Sequence, residues 1–150
     1  MSLKSLLGDG RLRRHTTSAT EIADLLKMVD RDLRDTGIED LSVDRRFTIA
    51  YNAVLQLATV VLRASGYRTS GAAHHWATFQ VLPDLMGHAE RDRADYLNAC
   101  RRKRNTAVYD AAGVVSDAEL RELLAEAESF RQDVLGWLGR EHPDLLTGGK

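Results

Sequence analysis

The sequence has one cysteine, Cys100, which excludes an intramolecular disulfide and a thiolate zinc cluster and suits a reducing cytoplasm. Prolines are scarce, only Pro83 and Pro143. Strand signals are scarce too. Few segments alternate with period two, and no Asn-Gly or Asp-Gly pair sits between β-branched runs. Charge of one sign is missing: the formal net charge is -1. No whole-molecule field attracts a polyanion, so a nucleic-acid site has to be a local patch. Long apolar runs are absent as well. The longest, Leu57 to Leu62, is interrupted by Thr59 and falls far short of a membrane span. Met1 to Gly10 is too short and too polar for a signal-peptide core. No repeat and no low-complexity tract is present.

What is there reads as one globular domain. The chain has 150 residues, 43% hydrophobic and 29% charged, enough to build a core under a wet surface. The pattern predicts an all-α, up-and-down bundle of about five helices over residues 18–140. An N-terminal arm (1–17) and a C-terminal tail (141–150) flank it. The arm carries the basic stretch Arg11, Arg13, Arg14 and His15 and reads as mobile or loosely docked. Ser18 and Glu21 have capping-box spacing, and Ile22, Leu25, Leu26, Val29 and Leu33 form one face of a first helix ending near Gly37. A second helix, Val43 to Ser65, is apolar around most of its circumference, which marks a central or interface helix. Its one polar stripe is Arg45, Asn52, Gln56, Thr59 and Arg63. Tyr67 to Gly71 reads as a turn. A third helix runs from Ala72 to Leu82, where Pro83 should end or kink it. A fourth runs from Arg91 to Tyr109. Ser116 and Glu119 open the last, whose stripe runs from Leu120 to Leu138.

Chemistry concentrates on the fourth helix. Arg101-Arg102-Lys103-Arg104 wraps a full turn, so the four cations cannot share one wet side. A solvated face accounts for the first three. Arg104 falls in step with the apolar residues Leu97, Cys100, Ala107 and Ala111. Either it snorkels, or it sits in a cleft or interface where a guanidinium requires an anion, for which phosphate is a natural partner. Asn105 and Tyr109 are four apart and share a helical face, with Arg101 one turn earlier. Arg101, Arg104, Asn105 and Tyr109 therefore make a candidate phosphodiester site. A phenol with a pKa near 10 is a poor general base at neutral pH, which favours binding over cleavage. His74 and His75 are adjacent, roughly 100° apart on a helix, so packing or capping suits them better than metal binding. No cofactor motif is present.

The segment Arg104-Asn105-Thr106-Ala107-Val108-Tyr109-Asp110 resembles the signature of the HEPN superfamily, an Arg followed by a polar residue and, some positions on, a His. The stretch Arg45 to Gln80 resembles the second helix and loop of such domains, through Ser65-Gly66-Tyr67-Arg68 and then Gly71-Ala-Ala-His-His-Trp76. The resemblance covers residues 18–138. It implies a helical bundle that forms a homodimer, with the Arg-bearing helices meeting in a composite site directed at RNA. It also implies a metal-independent ribonuclease, often a toxin paired with a nucleotidyltransferase antitoxin, or a binding module where catalytic residues are lost. Here Tyr109 stands where the His belongs, and no His follows until His142. The position of a second family residue, a Tyr two places after the His, holds Ala111.

Three readings follow. One is RNA or nucleotide binding at Arg104 without the usual His-dependent cleavage. The second is a ribonuclease in which Tyr109 or a distant His such as His88 supplies the missing group. The third is a structural partner protein with no ligand, Arg104 being paired to Asp44, Glu90 or Asp95.

Overall fold

In the computed structural model, residues 2–70 and 74–147 are described. The chain is an all-α helical bundle with one small β-ribbon. Helix α1 (Leu3–Gly8) leads into strand β1 (Leu12–Arg14). Helices α2 (Ala19–Asp35) and α3 (Val43–Ala64) follow, then strand β2 (Tyr67–Thr69). Two short helices come next, α4 (His74–Gln80) and α5 (Leu82–Met86). A 3-10 turn (His88–Glu90) opens α6 (Arg91–Asn105), which runs into one π-helical turn (Thr106–Asp110). Helix α7 (Asp117–Glu141) and the short α8 (Pro143–Thr147) complete the fold.

Local chemistry sets the helix ends. The hydroxyls of Ser18, Ser42 and Ser116 each accept the N–H three residues on, satisfying donors that the first turn leaves free. At Ser116 the box is reciprocal, because Glu119 takes the Ser116 N–H at 2.9 Å. At Ser18 it is not: the Glu21 carboxylate turns instead to His15, Thr17 and Arg63. Helix α3 stops before Gly66, whose φ of 93° suits a residue without a Cβ.

The central position expected for the second helix is what α3 occupies. Phe47, Tyr51, Val54, Leu57 and Val61 are buried, packed with Ile22 and Val29 of α2, Leu97 of α6 and Leu123, Phe130 and Val134 of α7. By length and apolarity α3 is the one helix among the described residues that would span a bilayer. Yet 61% of that apolar window is covered by the fold, as a core helix requires.

Three expectations about the chain change. The N-terminal arm is docked: Leu6 and Leu12 are buried in a second cluster with Leu62, Ala77 and Val81. Residues 67–69 are not merely a turn, since β2 pairs antiparallel with β1, Leu12 opposite Thr69 and Arg14 opposite Tyr67. Strands of three residues are too short for period two to register in the sequence. The third helix is two, α4 and α5, because Pro83 lies in the first turn of α5 rather than at the end of α4. The expected start at Ala72 lies outside the described residues, and so do 148–150 of the tail. Residues 143–147, also read as tail, form α8 and pack near α2 and α7.

Candidate functional site

Arg104 leaves α6 one residue before the helix ends, and its side chain crosses to α3. The guanidinium carbon lies 5.5 Å from the centre of the Tyr51 ring, a cation–π stack that accounts for a half-buried arginine on an apolar stripe. Its NH1 donates to Asn105 Oδ1 at 3.0 Å. Its Nε is buried with no partner. Among the described residues no carboxylate lies within ion-pair distance of Arg104, Arg101 or Arg45.

The counter-charges considered for Arg104 are occupied elsewhere or remote. Asp44 lines the same cleft, but its two oxygens accept the backbone N–H groups of Gly113 and Val115, at 2.6 and 3.2 Å. That clamp ties the connection after α6 to the start of α3. Glu90 pairs with Arg93 at 2.8 Å. Asp95 is exposed near the start of α6. His88 is exposed in the turn before α6, roughly 24 Å of helix rise from Arg104, and does not reach it.

Two clefts flank Arg104. The larger, about 450 Å³, is lined by Asp44, Arg45, Thr48 and Asn52 of α3 with Arg104 and Val108. The smaller, about 170 Å³, is lined by His74, His75, Trp76, Arg101 and Asn105. The structure thus brings Arg101, Arg104 and Asn105 together. It does not bring Tyr109 with them. The π turn closes through the Ala111 N–H to the Thr106 carbonyl, five residues back, at 2.9 Å. This wider turn breaks the four-residue register with Asn105. Tyr109 is 73% exposed and lines neither cleft. Ala111, expected on the apolar stripe, is exposed for the same reason.

His75, expected from the sequence only to pack or cap, has a polar contact as well. It lies on α4, far from Arg104 in sequence, and its Nδ1 is 3.1 Å from the Tyr51 hydroxyl. Burial drives its pKa down from 6.5 to about 4, helped by His74, Arg104 and Arg101. The imidazole is therefore neutral at pH 7. Burial pushes the Tyr51 phenol up, so it keeps its proton. Tyr51 has no other hydrogen-bond partner among the described residues. Where its hydroxyl donates to Nδ1, the His75 ring carries its own proton on Nε2. The packing role assigned to His75 from sequence and a polar role coexist. Its one foreshadowing signal was a His-His pair just ahead of Trp76 and Phe79, which is too common to single it out.

Chemically, the arrangement offers a recessed guanidinium, a second arginine, an amide and a neutral N–H donor. Those are anion-binding groups. Among the described residues no group of three His, Cys, Asp or Glu side chains could hold a metal. A further cleft, between α6 and α7, holds Cys100 with Tyr96 and Lys103, but burial pushes the thiol up to about 11, which keeps it a thiol. Compared with family models, curated proteins and solved structures, the chain gives no match.

Proposed function

We propose that this protein is a HEPN-like helical domain that binds RNA or a nucleotide by its phosphate, at Arg104, without the usual His-dependent cleavage. The observation that carries the reading is Arg104 itself: half-buried, stacked on Tyr51, lining a cleft, and with no carboxylate at ion-pair distance among the described residues. An arginine that lines a cleft with no carboxylate at ion-pair distance is suited to hold an anion there, and phosphate matches its planar fork. Arg101, Asn105 and the His75 Nε2–H supply further donors. A neutral imidazole that already accepts at Nδ1 donates to phosphate but does not take a proton from a ribose hydroxyl. That favours holding over cutting.

The second reading, a metal-independent ribonuclease, draws on His74, which is exposed and lines the cleft beside Arg101 and Asn105. Pairing with a nucleotidyltransferase belongs to that reading. The protein is proposed to act as a homodimer, with Val108 and Tyr109, the exposed apolar residues of the π turn, at the contact. Sedimentation at high micromolar concentration tests this, and a monomer there removes the composite site.

The test of function is labelled single-stranded RNA in EDTA, with wild type and Arg104→Ala. The expected result is binding without cleavage, lost in the variant. Cleavage abolished by His74→Ala moves the assignment to the ribonuclease. Equal RNA retention by wild type and Arg104→Ala overturns the Arg104 site.

A further inference from the structure

Residues 1–17 and 66–70 hold five cations, Lys4, Arg11, Arg13, Arg14 and Arg68, against one carboxylate, Asp9. The chain as a whole stands at -1, so the rest of it is net acidic. The β-ribbon turns part of this basic set outward. Strand side chains alternate between faces. Leu12 is buried, so Arg13 points the other way, and its cross-strand partner Arg68 points with it. Both are exposed. Like charges directly opposite on a sheet destabilise it, yet the ribbon keeps this pair. Among the described residues no carboxylate comes within ion-pair distance of Arg13, Arg14 or Arg68. Acids of the neighbouring elements are engaged elsewhere. Asp9 pairs with Arg11, Glu21 with His15 and Arg63, and Asp84 takes the Leu3 N–H at 2.7 Å.

Three features narrow the partner. Arg14 stacks on Tyr67 at 5.4 Å and Arg11 on Trp76 at 5.7 Å, so each ring beside the ribbon already carries a guanidinium. A single strand of nucleic acid is held by open rings on which its bases stack. The exposed large apolar side chains among the described residues are Ile38, Val108 and Tyr109, none of them on the ribbon. A protein partner is anchored by apolar and aromatic residues at the centre of the contact. Finally, Arg13, Arg14 and Arg68 line none of the clefts described above. The face offers charge without a recess, which suits a broad sheet of anions.

We propose that the β-ribbon is a docking face for an anionic lipid surface, held by Arg13 and Arg68 with Arg11 and Arg14 beside them. Clustered cations are drawn to the negative potential of acidic headgroups. The two stacks orient Arg11 and Arg14 before contact, which lowers the entropy cost of binding. The net-acidic remainder turns the molecule ribbon-first toward a negative surface. Cations with no inserted chain give weak attachment that salt reverses. About 18 Å of helix rise separates Asn52, in the Arg104 cleft, from Ala64, where α3 leads into β2. Lipid docking therefore leaves that cleft open, and it does not depend on the phosphodiester reading.

The test is co-sedimentation of the full chain with vesicles of phosphatidylcholine alone and of phosphatidylcholine mixed with phosphatidylserine, over a range of salt. Retention is expected on the mixed vesicles only, falling as salt rises. Arg13→Gln and Arg68→Gln should each lower the partition coefficient about fivefold, the share of one cation near a charged bilayer. Each should also hold or raise the urea midpoint, because it relieves the like-charge pair. Arg121→Gln removes the same charge from an exposed position on α7 and should keep retention at the wild-type level. Equal retention on both vesicles, none on either, or no loss in the two ribbon variants overturns the proposal. Retention lost only together with a lowered midpoint overturns it too, as does an equal loss in Arg121→Gln, which makes the effect one of net charge. Single-stranded RNA bound by wild type and released by both ribbon variants, with no retention on vesicles, gives the face to nucleic acid instead.

Discussion

Two half-buried arginines of helix α6, Arg93 and Arg104, lie three turns apart and are solved in opposite ways. Arg93 stacks on Phe130 at 4.8 Å and is closed by Glu90, Glu126 and Asp133, at 2.8, 2.7 and 2.9 Å. Arg104 stacks on Tyr51 at 5.5 Å and has only its neighbour Asn105. The same helix and the same side chain give a rivet at one end and an open socket at the other. An arginine in an apolar setting is therefore not a site by virtue of burial. What separates the two is whether the fold supplies the anion. At Arg93 it does, three times. At Arg104 it withholds one even though Asp44 is in the cleft, because Asp44 is committed to two backbone N–H groups.

The comparison predicts opposite phenotypes. Arg93→Ala should cost about 3 kcal/mol of unfolding free energy in a urea melt, since it strands carboxylates in a partly buried network and uncovers Phe130. It should leave RNA binding unchanged under conditions where the protein remains folded. Arg104→Ala should do the reverse. Its unfolding free energy should move by no more than about 1 kcal/mol, the scale of a cation–π contact. Its affinity for single-stranded RNA should fall by about 2 kcal/mol, the scale of a charged hydrogen bond. A large loss of stability in Arg104→Ala with no loss of binding would erase the distinction and make Arg104 a second rivet.

Much of this was legible in the sequence. The bundle was written in the three-to-four spacing of apolar residues and in Ser18 and Ser116 ahead of their helices. Arg104 stood out because a cation interrupted an apolar stripe. Arg93 did not stand out, because its partners on α7 are thirty and more residues away and nothing local announces them. The same limit hid His75: its contact with Tyr51 joins α4 to α3, and only the fold makes them neighbours. The docked arm was hidden for another reason. Leu6 and Leu12 are isolated apolar residues in a polar segment, and their burial depends on a pocket formed by Leu62, Ala77 and Val81. Tyr109 looked like a site residue only while α6 was taken to continue with ordinary geometry. A π turn is not encoded by any pattern in Thr106 to Asp110, and it carries Tyr109 and Ala111 off the faces expected of them.

A smaller effect sharpens the difference between the two ends by pH. Below 6.5 the unfolded chain's imidazole at position 75 takes up a proton that the folded one refuses until about 4. Folded stability therefore falls as pH drops through that window, by at most about 1.4 kcal/mol per pH unit for this one proton. Above 6.5 both states are neutral and the contribution vanishes. His75→Gln should flatten the profile between 6.5 and 4 relative to wild type, read from urea melts at several pH values. Arg104→Ala should flatten it in part, because Arg104 is one of the charges, with Arg101 and His74, that hold His75 neutral. Arg93→Ala should leave the slope as it was. If the slope responds to Arg93 instead, the charged surroundings of His75 are not those of the Arg104 end.

The smallest effect is expected at Tyr109. The residue is 73% exposed and lines neither cleft beside Arg104. Tyr109→Ser should change the unfolding free energy by less than about 0.5 kcal/mol, as surface substitutions do, and leave the affinity for a dinucleotide intact. The informative measurement is sedimentation on the same samples. An exposed aromatic next to an exposed Val108 is the composition of an interface core rather than of a ligand cleft. Weaker self-association with unchanged dinucleotide binding would assign the ring to a contact between two copies and confine the ligand to Arg104, Arg101 and Asn105 of one. Loss of both together would mean that the socket at the end of α6 is finished only by a second chain. The anion that the fold withholds from Arg104 would then be bound by two copies at once.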